Sequence, residues 1–212
     1  MFYSSDLITS RLRAYDADVS MATPGVPRAS VIMVMAQGAT EVEVLMIERA
    51  QREGDPWSGQ MAFPGGKRDP EDSSDLACGL REVEEELSLR LQETDLLCAL
   101  SPANTGWRPD RPEMWVFPFI FMLSEQPTVV CNQEVASAVW VPISVLFDLE
   151  RRDRLCWELE EGIYESEMIP FAGREIWGLS LRMINELAVV ASEGLIEPPQ
   201  FPLLGESTST ES

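Results

Sequence analysis

The spacing of apolar and polar residues predicts a series of strands interrupted by a few helices. Residues 30–35 (SVIMVM) are apolar at almost every position, which is typical of a strand buried on both faces. A glycine-containing turn separates them from a second apolar run at 42–47, so we predict a β-hairpin. Further strands are predicted at 96–100, 114–122 and 136–141, a second hairpin at 154–159 and 167–171, and helices at 4–15, 144–149 and 177–190.

The strongest helix signal follows a polar segment at residues 67–75. Four apolar residues recur at spacings of four, three and four, so they share one face of a helix. They are Leu76, Leu80, Val83 and Leu87. We predict Asp72 or Ser73 as the N-cap and an end near residues 87–88. Strands and helices mix without regular alternation, which favours an α+β fold: an α/β/α sandwich around a mixed sheet.

Composition narrows the chemistry. The chain has 212 residues, enough for one sizeable domain, and a formal net charge of -20. Such a surface repels polyanions, so we expect neither a nucleic-acid polymer nor a membrane as a partner. The absence of histidine excludes histidine metal sites and Ser–His or Cys–His catalysis. Any catalytic proton transfer therefore falls to carboxylates, Lys, Tyr, Cys or metal-bound water.

The cysteines and the ends of the chain lead us to expect a cytoplasmic protein. Four cysteines occur without a CxxC motif, so free thiols are expected rather than a zinc site or disulfides. The N-terminal residues are charged and lack the apolar core of a signal peptide. The longest apolar run, 114–123, is half a membrane span and contains Pro118. The polar residues 206–212 are expected to be disordered.

An acidic cluster on the predicted helix is the main candidate for chemistry. Glu82, Glu85 and Glu86 are related as i, i+3 and i+4, so they share a face, and Arg81 lies beside Glu85. Mg²⁺ or Mn²⁺ would neutralise their mutual repulsion. The ordinary alternative is a solvated acidic helix face. The turn 63–66 (FPGG) upstream favours the metal site, because it can place backbone carbonyls beside the carboxylates.

The stretch 66–89 resembles the Nudix box, in which a glycine precedes a spaced glutamate and the run Arg-Glu-apolar-x-Glu-Glu-x-Gly-apolar. Residues 81–89 (REVEEELSL) match this run except for Ser88, which replaces its glycine. The spacing between Gly66 and Arg81 is one residue longer than usual. The upstream glutamate has no residue in its usual place, and Glu71 or Asp72 is the nearest candidate.

Residues outside the box look like the signature of coenzyme A pyrophosphatases. Residues 45–50 (LMIERA) and 58–66 (SGQMAFPGG) carry this similarity, and 132–142 and 176–179 extend it. The signature expects a second arginine where this chain has Gly54, with Arg52 close by in a loop one residue longer. The resemblance implies a Nudix fold, which we place at 28–195, between an N-terminal helix and linker at 1–27 and a flexible tail at 196–212.

The resemblance also implies roles for individual residues. Glu82, Glu85 and Glu86 would bind Mg²⁺ or Mn²⁺, and the catalytic residues would be Glu82, Arg81 and Glu134, with Glu82 or Glu134 as the base. The residues expected to bind a small nucleotide substrate are Arg49, Arg52, Phe63 and Gly66. Trp57 could stack on adenine, and the polar loop that contains Trp107, Arg108 and Arg111 could line the pocket.

Three functions remain open from the sequence. The first is hydrolysis of coenzyme A or acyl-coenzyme A to adenosine 3′,5′-bisphosphate and (acyl)phosphopantetheine. The second is a Nudix hydrolase of ADP-ribose, a nucleoside diphosphate sugar or a dinucleotide. The third is a Nudix-fold nucleotide-binding regulator without turnover, although such proteins usually lose box glutamates and this chain keeps all three. A homodimer is a possible assembly.

Overall fold

A computed structural model describes residues 4–53, 57–106, 113–159 and 162–198. Four α-helices are present in these ranges: α1 Ser5–Arg13, α2 Asp75–Leu87, α3 Ile143–Leu146 and α4 Gly178–Ser192. The first strands are β1 Arg28–Gln37, β2 Val42–Arg49, β3 Met61–Ala62, β4 Gly65–Lys67 and β5 Leu96–Ala99. The later strands are β6 Ala103–Asn104, β7 Trp115–Leu123, β8 Val135–Pro142, β9 Asp153–Leu159, β10 Gly162–Phe171 and β11 Arg174–Trp177.

Strand β1 is the centre of a mixed sheet. It pairs in parallel with β7 and antiparallel with β2 and β4, and the main path runs β3-β2-β1-β7-β5. Strand β8 extends the sheet beyond β2, and β6 pairs with β7. Strands β9, β10 and β11 form a separate antiparallel sheet. The mixed pairing confirms the predicted α+β class, and the antiparallel register of β1 with β2 confirms the predicted hairpin.

The sheet has helices on both faces because its central strands are apolar at successive positions. In β1, Ile32 and Val34 point toward α2 and pack with Val83 and Leu87 of that helix. The alternate residues of β1 belong to the other core, with α1, α3 and α4. This second core also includes Ile8 and Leu12, so the N-terminal helix is integrated with the rest of the fold.

Several predicted boundaries differ from the structure. The N-cap of α2 is Ser74 and not Asp72 or Ser73, because the Ser74 hydroxyl accepts a hydrogen bond from the Ala77 N–H. Helix α4 begins at Gly178, and Trp177 instead closes strand β11. Four short strands were not predicted: three have only two or three residues, which carry too little periodicity, and the fourth, of four residues, adjoins the helix predicted at 177–190. They are β3, β4, β6 and β11.

The cysteines agree with the prediction, and the structure describes the C-terminal end only as far as residue 198. All four cysteines are free, as predicted. Ile196 packs against the core at the start of the predicted tail, and residues 199–212 lie outside the described ranges. Within the described ranges, none of the helices is both long and apolar enough to cross a bilayer.

Candidate active site

Helix α2 carries the acidic cluster along the sheet and past the glycine turn. Val83 and Leu87 are fully buried against the sheet, which fixes the rotation of the helix about its axis. Glu82 and Glu86 are then turned toward the start of β4. The turn lies here because Gly65 pairs with Val31 and Gly66 with Ser30 of β1. The local pattern of the helix and the pairing of the sheet together place carboxylates beside backbone.

Glu86 is the most unusual of these carboxylates because it is only 3% exposed. Its Oε2 accepts a hydrogen bond of 2.9 Å from the backbone N–H of Gly65. Burial raises the pKa of Glu86 to about 7, against the opposing effect of the Gly65 hydrogen bond, and the negative charge of Glu82 raises it further. A buried carboxylate that resists ionisation this strongly is not an ordinary solvated helix residue.

Glu82 is held against Gly66 of the turn. A Cβ at Gly66 would overlap the Glu82 carboxyl group, so this position accommodates only glycine without a shift. The preceding Gly65 has φ +150, and a Cβ there would overlap the carbonyl oxygen of Ser30. Burial raises the pKa of Glu82, and the nearby Arg81 guanidinium partly offsets the effect. The two glycines therefore allow a close approach between the helix carboxylates and the main chain.

Arg81 links the helix to the loop that precedes it. Its guanidinium lies 3.0 Å from Asp72, 2.9 Å from Glu82 and 3.3 Å from Glu85. It also donates to the carbonyl oxygen of Lys67 at 3.3 Å. The hydrogen bonds from Arg81 lower the pKa of Asp72 to about 2. Asp72, one of the two nearest candidates for the upstream glutamate of the box, therefore pairs with Arg81 in the structure.

Two loops beside α2, one containing Arg52 and the other containing Glu134, form a second wall of the site. The Glu134 carboxylate lies 2.9 Å from the Arg52 guanidinium, and the backbone carbonyl of Glu134 accepts from the Ala50 N–H. The N–H of Asn132 donates to the carbonyl of Glu86 at 2.9 Å, which ties this loop to the end of the helix. Glu134 and Arg49 are close enough to affect Glu86, since their charges respectively raise and lower its pKa, although burial dominates.

The donor set fits a hard divalent cation. Glu82 and Glu86 supply carboxylate oxygens beside the turn at Gly65 and Gly66, and Glu85 lies one turn of helix after Glu82. Among the described residues, no three acidic or cysteine side chains already converge closely enough to coordinate a metal. Arg81 and the Gly65 N–H engage the carboxylates instead, so metal binding would require these side chains to reorient.

A model of the NUDIX domain family matches residues 26–157 of this chain, which is more than half of its length. The chain belongs to the Nudix family. The match includes the glycine turn, helix α2 and the loop that carries Glu134, so the residues brought together by the fold all lie within the Nudix domain.

This chain is also similar to a Nudix hydrolase of unassigned activity and to an uncharacterized protein, and a solved structure shares its fold. An uncharacterized Nudix hydrolase of Yersinia pestis, NudL, is 30% identical over 132 residues, or 62% of this chain and 64% of that protein. An uncharacterized protein of Schizosaccharomyces pombe is 35% identical over 117 residues, or 53% of this chain and 35% of that protein. This chain thus matches less than two-thirds of the length of each. A MutT/nudix family protein from Enterococcus faecalis shares the fold, with a TM-score of 0.53, 16% identity and coverage of 97% of this chain and 81% of that chain.

The Nudix site brings together most of the residues that the sequence singled out. Helix α2 and the glycine turn bring together Glu82, Glu86, Arg81 and Gly66. The second wall carries the pair of Glu134 and Arg52. The Phe63 side chain is instead 3% exposed and packs in the core cluster shared by α1, α3 and α4. Its role in substrate binding stays a prediction.

Sequence reasoning missed some residues of the site and could not place others. Asn132 forms an Asx turn, since its Oδ1 accepts from the Glu134 N–H at 2.7 Å, and the Asn-x-Glu spacing is a signal for this turn. The hydroxyl of Ser58 holds the backbone of Arg52 at both its N–H and its carbonyl oxygen. Gly54 and the loop containing Trp107, Arg108 and Arg111 lie outside the described residues.

Proposed function

We propose that this chain is a metal-dependent pyrophosphohydrolase that cleaves the diphosphate bond of a nucleoside diphosphate derivative. The observation that carries the proposal is the buried Glu86 carboxylate, which faces the Gly65-Gly66 turn beside Glu82 in a Nudix domain. Burial of an acid costs free energy unless a function or a partner offsets it. A cation held there during turnover offsets that cost.

The metal would be held by Glu82, Glu85 and Glu86. When bound there, Mg²⁺ or Mn²⁺ would neutralise the negative charge on the diphosphate. The residues of the chain supply the remaining functions. Gly66, which has no side chain, lets the Glu82 carboxyl group lie directly against the turn. Arg81 orients Glu82 and Glu85 through its ion pairs of 2.9 and 3.3 Å.

The second wall of the site supplies groups for binding phosphate and for proton transfer. Arg49 ends strand β2, and Arg52 follows it in the loop that pairs with Glu134. Guanidinium groups bind phosphate oxygens in bidentate fashion. Glu134 or Glu82 accepts the proton of the attacking water, because no histidine is present to do so. Glu134 is the better placed of the two, since Glu82 is also a proposed metal ligand.

The substrate that we favour is coenzyme A or acyl-coenzyme A, with adenosine 3′,5′-bisphosphate and (acyl)phosphopantetheine as products. Support comes from the similarity of residues 45–50 and 58–66 to the coenzyme A pyrophosphatase signature. In the structure these residues form β2, β3 and the turn into β4, next to the acidic face of α2. ADP-ribose, nucleoside diphosphate sugars and dinucleotides are the competing substrates.

A substrate panel with product identification tests this proposal. Coenzyme A, ADP-ribose, a nucleoside diphosphate sugar and a dinucleotide are each incubated with Mg²⁺ or Mn²⁺, and products are identified by mass spectrometry. We expect preferential cleavage of coenzyme A, with adenosine 3′,5′-bisphosphate as one product. Preferential cleavage of another member would overturn the coenzyme A assignment, and cleavage of none would favour a nucleotide-binding regulator.

Variants of the acidic cluster test the metal assignment separately. Glu85→Gln and Glu86→Gln are expected to lower kcat by at least about 100-fold, because each removes a charged ligand. Glu84→Gln is the matched control on the same helix, because Glu84 faces away and pairs with Arg90 at 2.6 Å. Undiminished hydrolysis by Glu86→Gln would contradict the metal site.

A further inference from the structure

Arg52 and Glu134 form an ion pair between the two loops of the wall that faces α2. The Arg52 guanidinium lies 2.9 Å from Glu134 Oε1, and the two side chains are 43% and 45% exposed. The pair therefore occupies the open side of the site and not the core. Both partners are groups to which the proposed function gives separate roles, in phosphate binding and in proton transfer.

The main chain beneath each partner is fixed, so the pair depends on side-chain rotation alone. The Ser58 hydroxyl accepts from the Arg52 N–H at 2.9 Å and donates to the Arg52 carbonyl oxygen at 3.0 Å. On the other loop, the Glu134 N–H donates to Asn132 Oδ1, and the Glu134 carbonyl accepts from the Ala50 N–H. The two anchored backbones keep the two side chains within reach of each other, and the charge of Glu134 acts on Glu82 and Glu86 of the acidic face.

We propose that Arg52 exchanges partners during binding: it holds Glu134 in the free protein and a phosphate oxygen of the nucleoside diphosphate in the complex. The inference rests on the proposed function, since it assumes that a diphosphate enters this site. Substrate binding then releases the Glu134 carboxylate at the moment when a proton acceptor is needed. In the free protein, the same contact keeps Arg52 from pairing with the carboxylates of α2.

The exchange is energetically accessible. An exposed Arg–Glu pair contributes little to stability, because water solvates both charges well when they separate. A phosphate group matches the guanidinium fork in a bidentate geometry, so it competes successfully for Arg52.

A binding cycle on a non-hydrolysable ligand tests the exchange without turnover. The probe is the α,β-methylene analogue of ADP with Mg²⁺, titrated calorimetrically into the wild type, Glu134→Gln, Arg52→Gln and the double variant. Glu134→Gln is expected to bind about two- to fivefold more tightly than the wild type, because Arg52 no longer has to leave a partner. Arg52→Gln is expected to bind more weakly.

The double variant separates the exchange from simple removal of a negative charge. If Arg52 is the group that is released, Glu134→Gln tightens binding much less when Arg52 is already glutamine. Equal tightening in both backgrounds would overturn the proposal, as would undetectable binding by the wild type. Glu165→Gln is the matched control, because it removes the same charge from an exposed pair with Arg154 at 3.0 Å on the β9–β10 hairpin.

The binding cycle and the substrate panel fail independently. Coupling between Arg52 and Glu134 in the binding cycle, without cleavage of any panel member, would sustain the exchange and refute the hydrolase. Cleavage of a panel member without that coupling would sustain the hydrolase and refute the exchange. Steady-state kinetics provide a second readout. Arg52→Gln is expected to raise KM more than it lowers kcat, whereas Glu134→Gln is expected to lower both kcat and KM.

Discussion

The cost of ionising Glu86 can be measured by removing its charge in metal-free protein. Glu86→Gln keeps the size of the side chain and an amide oxygen that can still accept the Gly65 N–H. The substitution removes only the ionisable group. We therefore expect the variant to be more stable than the wild type at alkaline pH in the presence of EDTA, and nearly equal in stability at acidic pH.

The magnitude follows from the pKa of Glu86. Burial raises this pKa from 4.5 to about 7. The stability associated with a raised carboxylate pKa is fully present below 4.5 and is lost as the pH rises through 7. At 1.36 kcal/mol for each pKa unit, the loss reaches roughly 3 kcal/mol at pH 8.5. Glu86→Gln avoids this loss, so its advantage in the free energy of unfolding grows by about 2–3 kcal/mol between pH 4.5 and 8.5.

Urea unfolding at pH 4.5, 5.5, 7 and 8.5 measures this difference, with EDTA throughout. Glu84→Gln is the control, because Glu84 lies on the exposed face of the same helix. Adding Mg²⁺ at pH 8.5 should reverse the order, since metal binding stabilises the wild type and not the variant. A difference between Glu86→Gln and the wild type that stays constant with pH would refute the reasoning.

Three further predictions concern residues around the acidic face. Asp72→Asn should lower the free energy of unfolding at pH 7 by about 1–2 kcal/mol, allowing for solvent screening of Arg81. Because the pKa of Asp72 is lowered to about 2, this loss of stability should disappear as the pH falls from 3.8 toward 2. A loss that does not change with pH would count against the ion pair. Ser88→Gly should raise stability in urea by about 0.5–1 kcal/mol, because Ser88 adopts the left-handed conformation at φ 52; destabilisation would contradict this. Gly66→Ala should weaken Mn²⁺ binding about tenfold by displacing the Glu82 carboxyl group, and unchanged affinity in calorimetry would show that this contact is unimportant.

The elements that the sequence predicted are those with long periodic patterns. The buried strands at 30–35 and 42–47 and the apolar stripe of α2 follow from side-chain spacing alone, and each is present in the structure. Strand β11 has four residues and pairs with its sequence neighbour β10, whereas β3, β4 and β6 have only two or three residues and pair with strands more distant in the sequence. Such short strands are determined by the sheet that receives them and not by their own residues.

The same distinction applies to the acidic site. Helical spacing places Glu82, Glu85 and Glu86 on one face, but it gives no reason for Glu86 to be buried and Glu85 exposed. That difference arises from Gly65, which lies 21 residues away and donates to Glu86. The Arg52–Glu134 pair joins two loops that are still more distant in sequence. Long-range contacts of this kind depend on the assembled sheet. The local sequence pattern could therefore predict which residues belong to the site but not which residues they contact.

Calorimetric titration of Mn²⁺ into the metal-free protein at pH 8 tests the metal site most directly. The wild type and Glu84→Gln should bind Mn²⁺ with similar affinity, and Glu86→Gln should bind it at least about tenfold more weakly. Equal affinity in all three proteins would contradict the assignment of the buried carboxylate as a metal ligand.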